Sequence, residues 1–284
     1  LYHKIFVSYC GDPLVRNYSG YLIAENEVAI KISYVYMSIV DEAITKCMVV
    51  SQSAEHVLGF VGVGKIVGVG FGVSNVREGD RVIVYADHNG VAETIHTANK
   101  DSVIVFNAKE FNDLEALIIA TLSVSRHLLD TVKGANVLIV GNDLSIVPFA
   151  YVSQLNASKV YIVPSHTLWH DIIKGEHVSI YDEKPICDIV ILSTYDPIIL
   201  SLVSRIAKKE FTLIIHPGLM SLLKIFGYNL SNVLIKPIRF GDIGSGISIY
   251  KELKDSITHR MRLLSAFDYI ERRVHPSVVN MQNL

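Results

Sequence analysis

Cysteine is scarce in this chain. Cys10, Cys47 and Cys187 stand apart, with no C-x-x-C pair, so neither a disulfide framework nor a zinc ribbon is expected, and a reducing cytoplasm is the natural compartment. No uninterrupted apolar run reaches the roughly 18–20 residues that a bilayer span needs, although 50% of the residues are hydrophobic and the mean hydropathy is +0.36. The longest candidate, Val57–Val76, is rich in glycine and β-branched residues and suits a sheet better than a membrane helix. Neither charge dominates: the formal net charge is -2 and the pI about 6.6, which gives no reason to expect nucleic acid or an acidic surface as partner. Repeats and low-complexity tracts are missing, and with Leu1 as the first residue given no targeting segment is expected. Few Gln and Cys beside many Ile and Tyr hint at a thermophilic source. The 284 residues suit one large domain or two linked ones.

The first hundred residues read as sheet. Strands are expected at Lys4–Ser8, Val28–Tyr36, Val57–Val69, Arg81–Tyr85, Val91–His96 and Val103–Phe106. They are separated by Gly11-Asp12-Pro13, Arg77–Asp80 and Asn89-Gly90 as turns. Lys31 and Ser33 are expected to face away from Ile30 and Ile32, and Gly59, Gly62 and Gly64 to mark a bulge or a close backbone contact. After Phe106 the period lengthens. Asn112–Glu115 can cap a helix whose apolar spacing runs to about Thr131. Helices are expected at Ile146–Asn156, Pro197–Lys208, Met220–Gly227, Ile249–Ile257 and Leu263–Arg273, with Gly241–Gly246 as a link. They alternate with strands at Asn136–Val140, Lys159–Val163, Ser179–Tyr181, Ile189–Ser193, Thr212–Ile215 and Val233–Ile238. That alternation predicts an α/β class with a doubly wound parallel sheet.

The organising stretch is Lys133–Val163: strand, tight turn, helix, strand. It is the first unit of a dinucleotide-binding fold, in which a pyrophosphate sits on the helix N-terminus. The fingerprint G-x-G-x-x-G falls on Gly141, Asp143 and Ile146, so one glycine of three survives. The Asp143 carboxylate opposes a phosphate unless it turns outward. Gly141, Asn142, Leu144 and Ser145 are the candidate phosphate contacts through their N–H groups, with Ser145 also a candidate helix cap. The second strand runs into Pro164-Ser165-His166 instead of an acid for a ribose hydroxyl. Ser165 completes the candidate set, and His166 or Lys159 is suited to a 2′-phosphate.

A β-barrel followed by this sheet resembles the medium-chain dehydrogenase/reductase superfamily. The ENEVAIKISY segment ending at Tyr34, Gly59–Asp80 with RVIVY after it, GVAET (Gly90–Thr94), LSVSRHL (Leu122–Leu128) and VLIVG (Val137–Gly141) carry the likeness in order. Near the end, Thr258-His259-Arg260 and Ala266–Ile270 look like the family's closing segment. The resemblance implies a GroES-like barrel over residues 1–108, a Rossmann-like domain over 109–246 and a C-terminal return over 247–284. It also implies a homodimer through the edge strand Val233–Ile238, which an exposed apolar edge would need in any case.

The family's zinc ligands do not carry over: Ser38, Phe60 and Ile119 stand at those positions. No zinc is expected. The members without zinc need a nicotinamide cofactor, NADP or NAD, and a shaped pocket. Ser38, Tyr36 and His216 are the catalytic candidates on this resemblance; Tyr36 is placed to donate a proton, and His216 ends a strand where a nicotinamide lies in the family. Asp41-Glu42 read as a solvated pair, and Cys10 and Cys47 lack a nearby base. Two readings stay open: a zinc-independent oxidoreductase reducing a small carbonyl or enone with NADPH, and a catalytically inactive binding or assembly subunit. A third is an apolar ligand in a pocket lined by Phe60, Val61 and Ile119.

Overall fold

The computed structural model describes residues 2–48, 54–86, 90–163, 169, 172, 175–177, 187–199, 203, 207–225, 232–259, 261, 263–265 and 277–282. Ser165, His166, the expected strand Ser179–Tyr181 and the segment Ala266–Ile270 lie outside these residues. The chain forms two compact units, residues 1–120 with 260–284, and residues 121–259.

In the first unit, β3 (Glu27–Met37) is the spine. It pairs antiparallel with β5 (Val61–Val69), β7 (Ile95–Asn99) and β16 (Ser277–Asn280). The sheet continues from β5 through β6 (Arg81–Tyr85) to β8 (Val103–Val105), and from β16 to β15 (Leu263–Ser265). A second sheet joins β2 (Leu14–Ser19), β1 (Tyr2–Ser8) and β4 (His56–Val57). Phe6, Ile30, Ile32, Leu58, Ile66 and Val84 are buried together between these strands, each contributing about 1.5–3 kcal/mol of transfer free energy. The short helix α1 (Ile39–Thr45) follows β3.

Several expectations change here. The single strand Val57–Val69 is two strands, broken by a turn at Leu58–Phe60 in which Gly59 has φ +93. Ser33 is buried, because the register slips between Ile32 and Tyr34 and the bulge turns it inward. The close contact expected of the glycines falls at Gly64, where a Cβ would lie 2.2 Å from the Lys31 carbonyl oxygen. After Gly90 the chain enters its strand at Ile95, later than Asn89-Gly90 suggested. Leu263–Ser265 is a strand rather than the start of a helix, held by β16 beside it. The isolated cysteines are not isolated in space: Cys10 and Cys47 form a disulfide, with Cα atoms 4.7 Å apart. A separation of 37 residues hid that pairing. Cys187 is buried and takes no part in that disulfide.

The helix expected from Leu114 to Thr131 is α2 (Asp113–Leu122), then α3 (Arg126–Leu129) after a break. Asn112 and Glu115 cap α2 reciprocally, at 2.9 and 3.1 Å, as their spacing predicts. The second unit is built on six parallel strands in the order β11-β10-β9-β12-β13-β14. These are Glu176–His177, Lys159–Ile162, Asn136–Gly141, Cys187–Ser193, Ala207–Ile215 and Val233–Pro237. Strand β9 is buried from Val137 to Gly141, as a parallel strand covered on both faces must be. Helix α4 (Val147–Asn156) follows it and α5 (Met220–Ile225) follows β13. Ala207 and Lys208 belong to β13, not to the end of a helix, because pairing with β12 begins there. Gly241–Gly246 is no link: α6 spans Ile243–Thr258, capped by Asp242, whose carboxylate accepts from Ser245 N at 3.2 Å. Fold class is therefore α/β, with one GroES-like antiparallel unit and one Rossmann-like parallel unit.

Candidate functional site

The turn after β9 is closed on itself. Gly141 has φ +142, and a Cβ there would lie 2.3 Å from the Ser193 carbonyl oxygen on β12. Glycine is thus required by the neighbouring backbone. Asn142 N donates to that same oxygen at 3.2 Å. Asp143 does not turn outward: it is 1% exposed, and its Oδ1 accepts from Ser145 N at 2.9 Å. Asp143, not Ser145, is the cap, and it opens a 3-10 turn over Leu144–Ile146. Ile146 N donates to the Asp143 carbonyl at 3.3 Å. The N–H groups of residues 142, 145 and 146 are therefore engaged within the chain. Leu144, Ser145 and Ile146 are fully buried. Trp169, fully buried as well, donates its indole N–H to the Asn142 carbonyl at 3.0 Å. Ser145 Oγ and Ser193 Oγ have no hydrogen-bond partner among the described residues.

His216 stands at the end of β13, two strands from β9 at the same carboxyl edge. It is buried, and its Nδ1 accepts from Gly218 N at 3.3 Å. That bond assigns the proton of the neutral ring to Nε2. The ring leans on Phe240, with centroids 5.7 Å apart. Burial pushes the His216 pKa down, and the Asp143 carboxylate opposes the shift. The parallel order of β9, β12 and β13 thus brings Gly141, Asn142, Asp143, Leu144, Ser145 and His216 to one edge.

The other two catalytic candidates lie in the first unit. Tyr36 is fully buried in β3, in register with Val61 and Val278. Ser38 is the buried N-cap of α1; its Oγ accepts from Val40 N at 3.1 Å and donates to Asp41 Oδ2 at 3.1 Å. Asp41 is not solvated. It also accepts from Ser38 N and from Gly59 N, both at 2.6 Å, and so ties α1 to the turn before β5. Glu42 pairs instead with Lys46, at 2.6 Å. The signal for Asp41 was present as Ser-x-x-Asp, a capping-box spacing.

Neither group implied by the fold fits these residues well. At the zinc positions Ser38 is committed to the cap, Phe60 packs edge-on against Tyr85 at 6.1 Å, and Ile119 is buried. None offers nitrogen or sulfur, and no set of three His, Cys, Asp or Glu able to hold a metal occurs among the described residues. At the nucleotide turn a phosphate would have to displace Asp143 from Ser145 N and face its charge. The buried neutral imidazole of His216 is in place at this edge to donate from Nε2, but the phosphate cradle beside it is filled.

Residues 24–109 match the alcohol dehydrogenase GroES-like domain family. No curated protein matches the sequence. Among solved structures, the quinone oxidoreductase from Coxiella burnetii is similar at a TM-score of 0.71 and 14% identity, covering 99% of this chain and 100% of the other. CAD from Helicobacter pylori, complexed with NADP(H), gives 0.67 and 16%, covering 99% of each. The CurK enoyl reductase gives 0.63 and 18%, covering 98% and 99%. The chain carries the two-part fold of the medium-chain dehydrogenase/reductase superfamily, and its residues 24–109 match the alcohol dehydrogenase GroES-like domain.

Proposed function

We propose that this chain keeps the medium-chain oxidoreductase scaffold, does no nicotinamide-dependent redox chemistry at the β9 turn, and acts as a binding or assembly subunit. One observation carries this reading: the buried Asp143 carboxylate occupies Ser145 N, where a pyrophosphate oxygen would have to bind. A phosphate charge about 4 Å from that carboxylate meets about 4 kcal/mol of repulsion at an effective dielectric near 20. Loss of the cap adds about 1 kcal/mol. Penalties of that size carry a dissociation constant of about 1 μM into the millimolar range. Pairing of two copies through the outer strand β14, where Leu234 is 58% exposed, fits an assembly role.

A second reading has its own support. The GroES-like match and the likeness to an enoyl reductase, a quinone oxidoreductase and an NADP(H) complex favour a zinc-independent oxidoreductase that reduces a small carbonyl or enone with NADPH. On that reading Ser145, Asn142 and Leu144 hold the phosphates after Asp143 swings away, and His216 donates a hydrogen bond at the reacting end.

Calorimetric titration with NADPH and NADH separates the two. The scaffold reading expects no heat of binding up to millimolar cofactor, and a dissociation constant in the micromolar range sinks it. Asp143→Gly, which removes the carboxylate, is expected to bind NADPH at least tenfold more tightly than the wild type.

A further inference from the structure

We propose that the Cys10–Cys47 disulfide is an exchangeable clasp on the first unit, opened and closed by low-molecular-weight thiols and disulfides, with Cys47 as the sulfur attacked. Among the described residues, Cys10 and Cys47 are the two non-glycine residues in the left-handed region, at φ +73 and +63. Glycine or asparagine adopts that region at less cost than other residues. Cys47 occupies the position just past the α1 C-cap, where Cys47 N donates to the Ile44 carbonyl at 3.0 Å and Met48 N to the Ala43 carbonyl at 2.8 Å. That arrangement favours glycine at the residue held here by Cys47. Cys10 sits in the turn between β1 and β2, pinned by Ser8 Oγ donating to the Gly11 carbonyl at 3.0 Å. Two cysteines in two glycine-favouring positions, with Cα atoms 4.7 Å apart, are accounted for by the bond between them.

The clasp closes a ring. From β1 it crosses the disulfide to the end of α1, runs back along α1 to Asp41, crosses to Gly59, and returns through β4 to β1. Opening it leaves α1 tied at one end, by Asp41. Cys47 is exposed and Cys10 half-buried, so exchange has access. An incoming thiolate attacks Cys47 Sγ; the bond to Cys10 breaks and Cys10 leaves as a thiolate that takes up a proton. A second thiolate attacks the outer sulfur of the Cys47 adduct, releasing the small disulfide and the Cys47 thiolate, which is protonated in turn. Two electrons pass from two small thiols to the protein. The direction follows from charge. The carbonyl end of α1 disfavours a thiolate at Cys47, and Lys46, bound to Glu42 at 2.6 Å, is not free to offset it. Cys10 is then the better leaving group.

The test equilibrates the full chain in glutathione buffers of varied ratio, then alkylates, maps thiols by mass spectrometry and records the Tm. Cys10 and Cys47 should pass together from alkylated to protected as the oxidised form rises. The Tm should increase by on the order of 10 °C, and quenched samples should carry the glutathione adduct on Cys47. Hydrogen exchange in residues 10–13 and 44–48 should quicken on reduction. Cys47→Gly separates the bond from the backbone: it should ignore the redox ratio and melt below the oxidised wild type but not below the reduced one. Three alkylated cysteines at every ratio, an unchanged Tm, an adduct on Cys10, or Cys47→Gly melting with the oxidised protein would each overturn the proposal.

Discussion

Asp41 gathers three donors on one buried carboxylate, two of them backbone N–H groups at 2.6 Å. Removing it leaves those N–H groups buried without an acceptor, at about 1–3 kcal/mol each. Asp41→Ala is therefore expected to lower the unfolding free energy by about 2–5 kcal/mol in a urea titration, whereas Ser38→Ala should lose about 1 kcal/mol, the size of a single cap. His216 sets a pH dependence. Its pKa is depressed by burial in the folded chain, so below about pH 6.5 the unfolded chain binds a proton that the folded chain refuses. Stability is full above that pH and falls as the pH drops toward the depressed value. His216→Gln should flatten the slope of stability below pH 6.5; an unchanged slope would assign it to other groups. The Ser-x-x-Asp spacing at Ser38–Asp41 was readable in the sequence. The inward turn of Asp143 was not, because a short carboxylate at a helix start faces either solvent or its own backbone, and burial of the turn favours the second.

At the scale of elements, the β9 turn is as much a packing joint as a binding loop. Its glycine meets the backbone of Ser193 on β12, so Gly141→Val is expected to destabilise the second unit by about 3 kcal/mol or more. A loss of function in that variant would report unfolding, which thermal melts beside any binding assay would show. Element types were legible wherever the period was clean: β3, β9 and α4 lie close to where alternation and buried runs placed them, and α2 starts at its capping pair but ends at Leu122, well before Thr131. Misreadings have separate causes. Gly59 splits a strand by its φ, and Gly244 and Gly246 are carried into α6 by the Asp242 cap, both local features. Leu263–Ser265 is drawn into a sheet by β16, a contact outside the local window.

At the scale of the molecule, β14 is an outer strand of the parallel sheet among the described residues. If two copies pair there, Leu234→Lys should shift sedimentation toward the monomer without changing the Tm of the dilute protein. A wild type that sediments as a monomer would remove the pairing from the proposal. No helix among the described residues is long and apolar enough to cross a membrane, in keeping with the absence of long apolar runs.

The sequence by itself determined the class and order of the elements, because strand alternation, buried runs and capping pairs act over a few residues. It also determined that the zinc positions hold no nitrogen or sulfur and that two fingerprint glycines are gone, since those are matters of residue identity. Only the tertiary structure decided what fills the spaces left behind. Asp41 reaches Gly59, Asp143 and Trp169 close the β9 turn, and Cys10 meets Cys47. These contacts join residues from neighbouring strands, turns and helix ends, and the partner of a side chain across such a gap is set by packing, which no local pattern encodes.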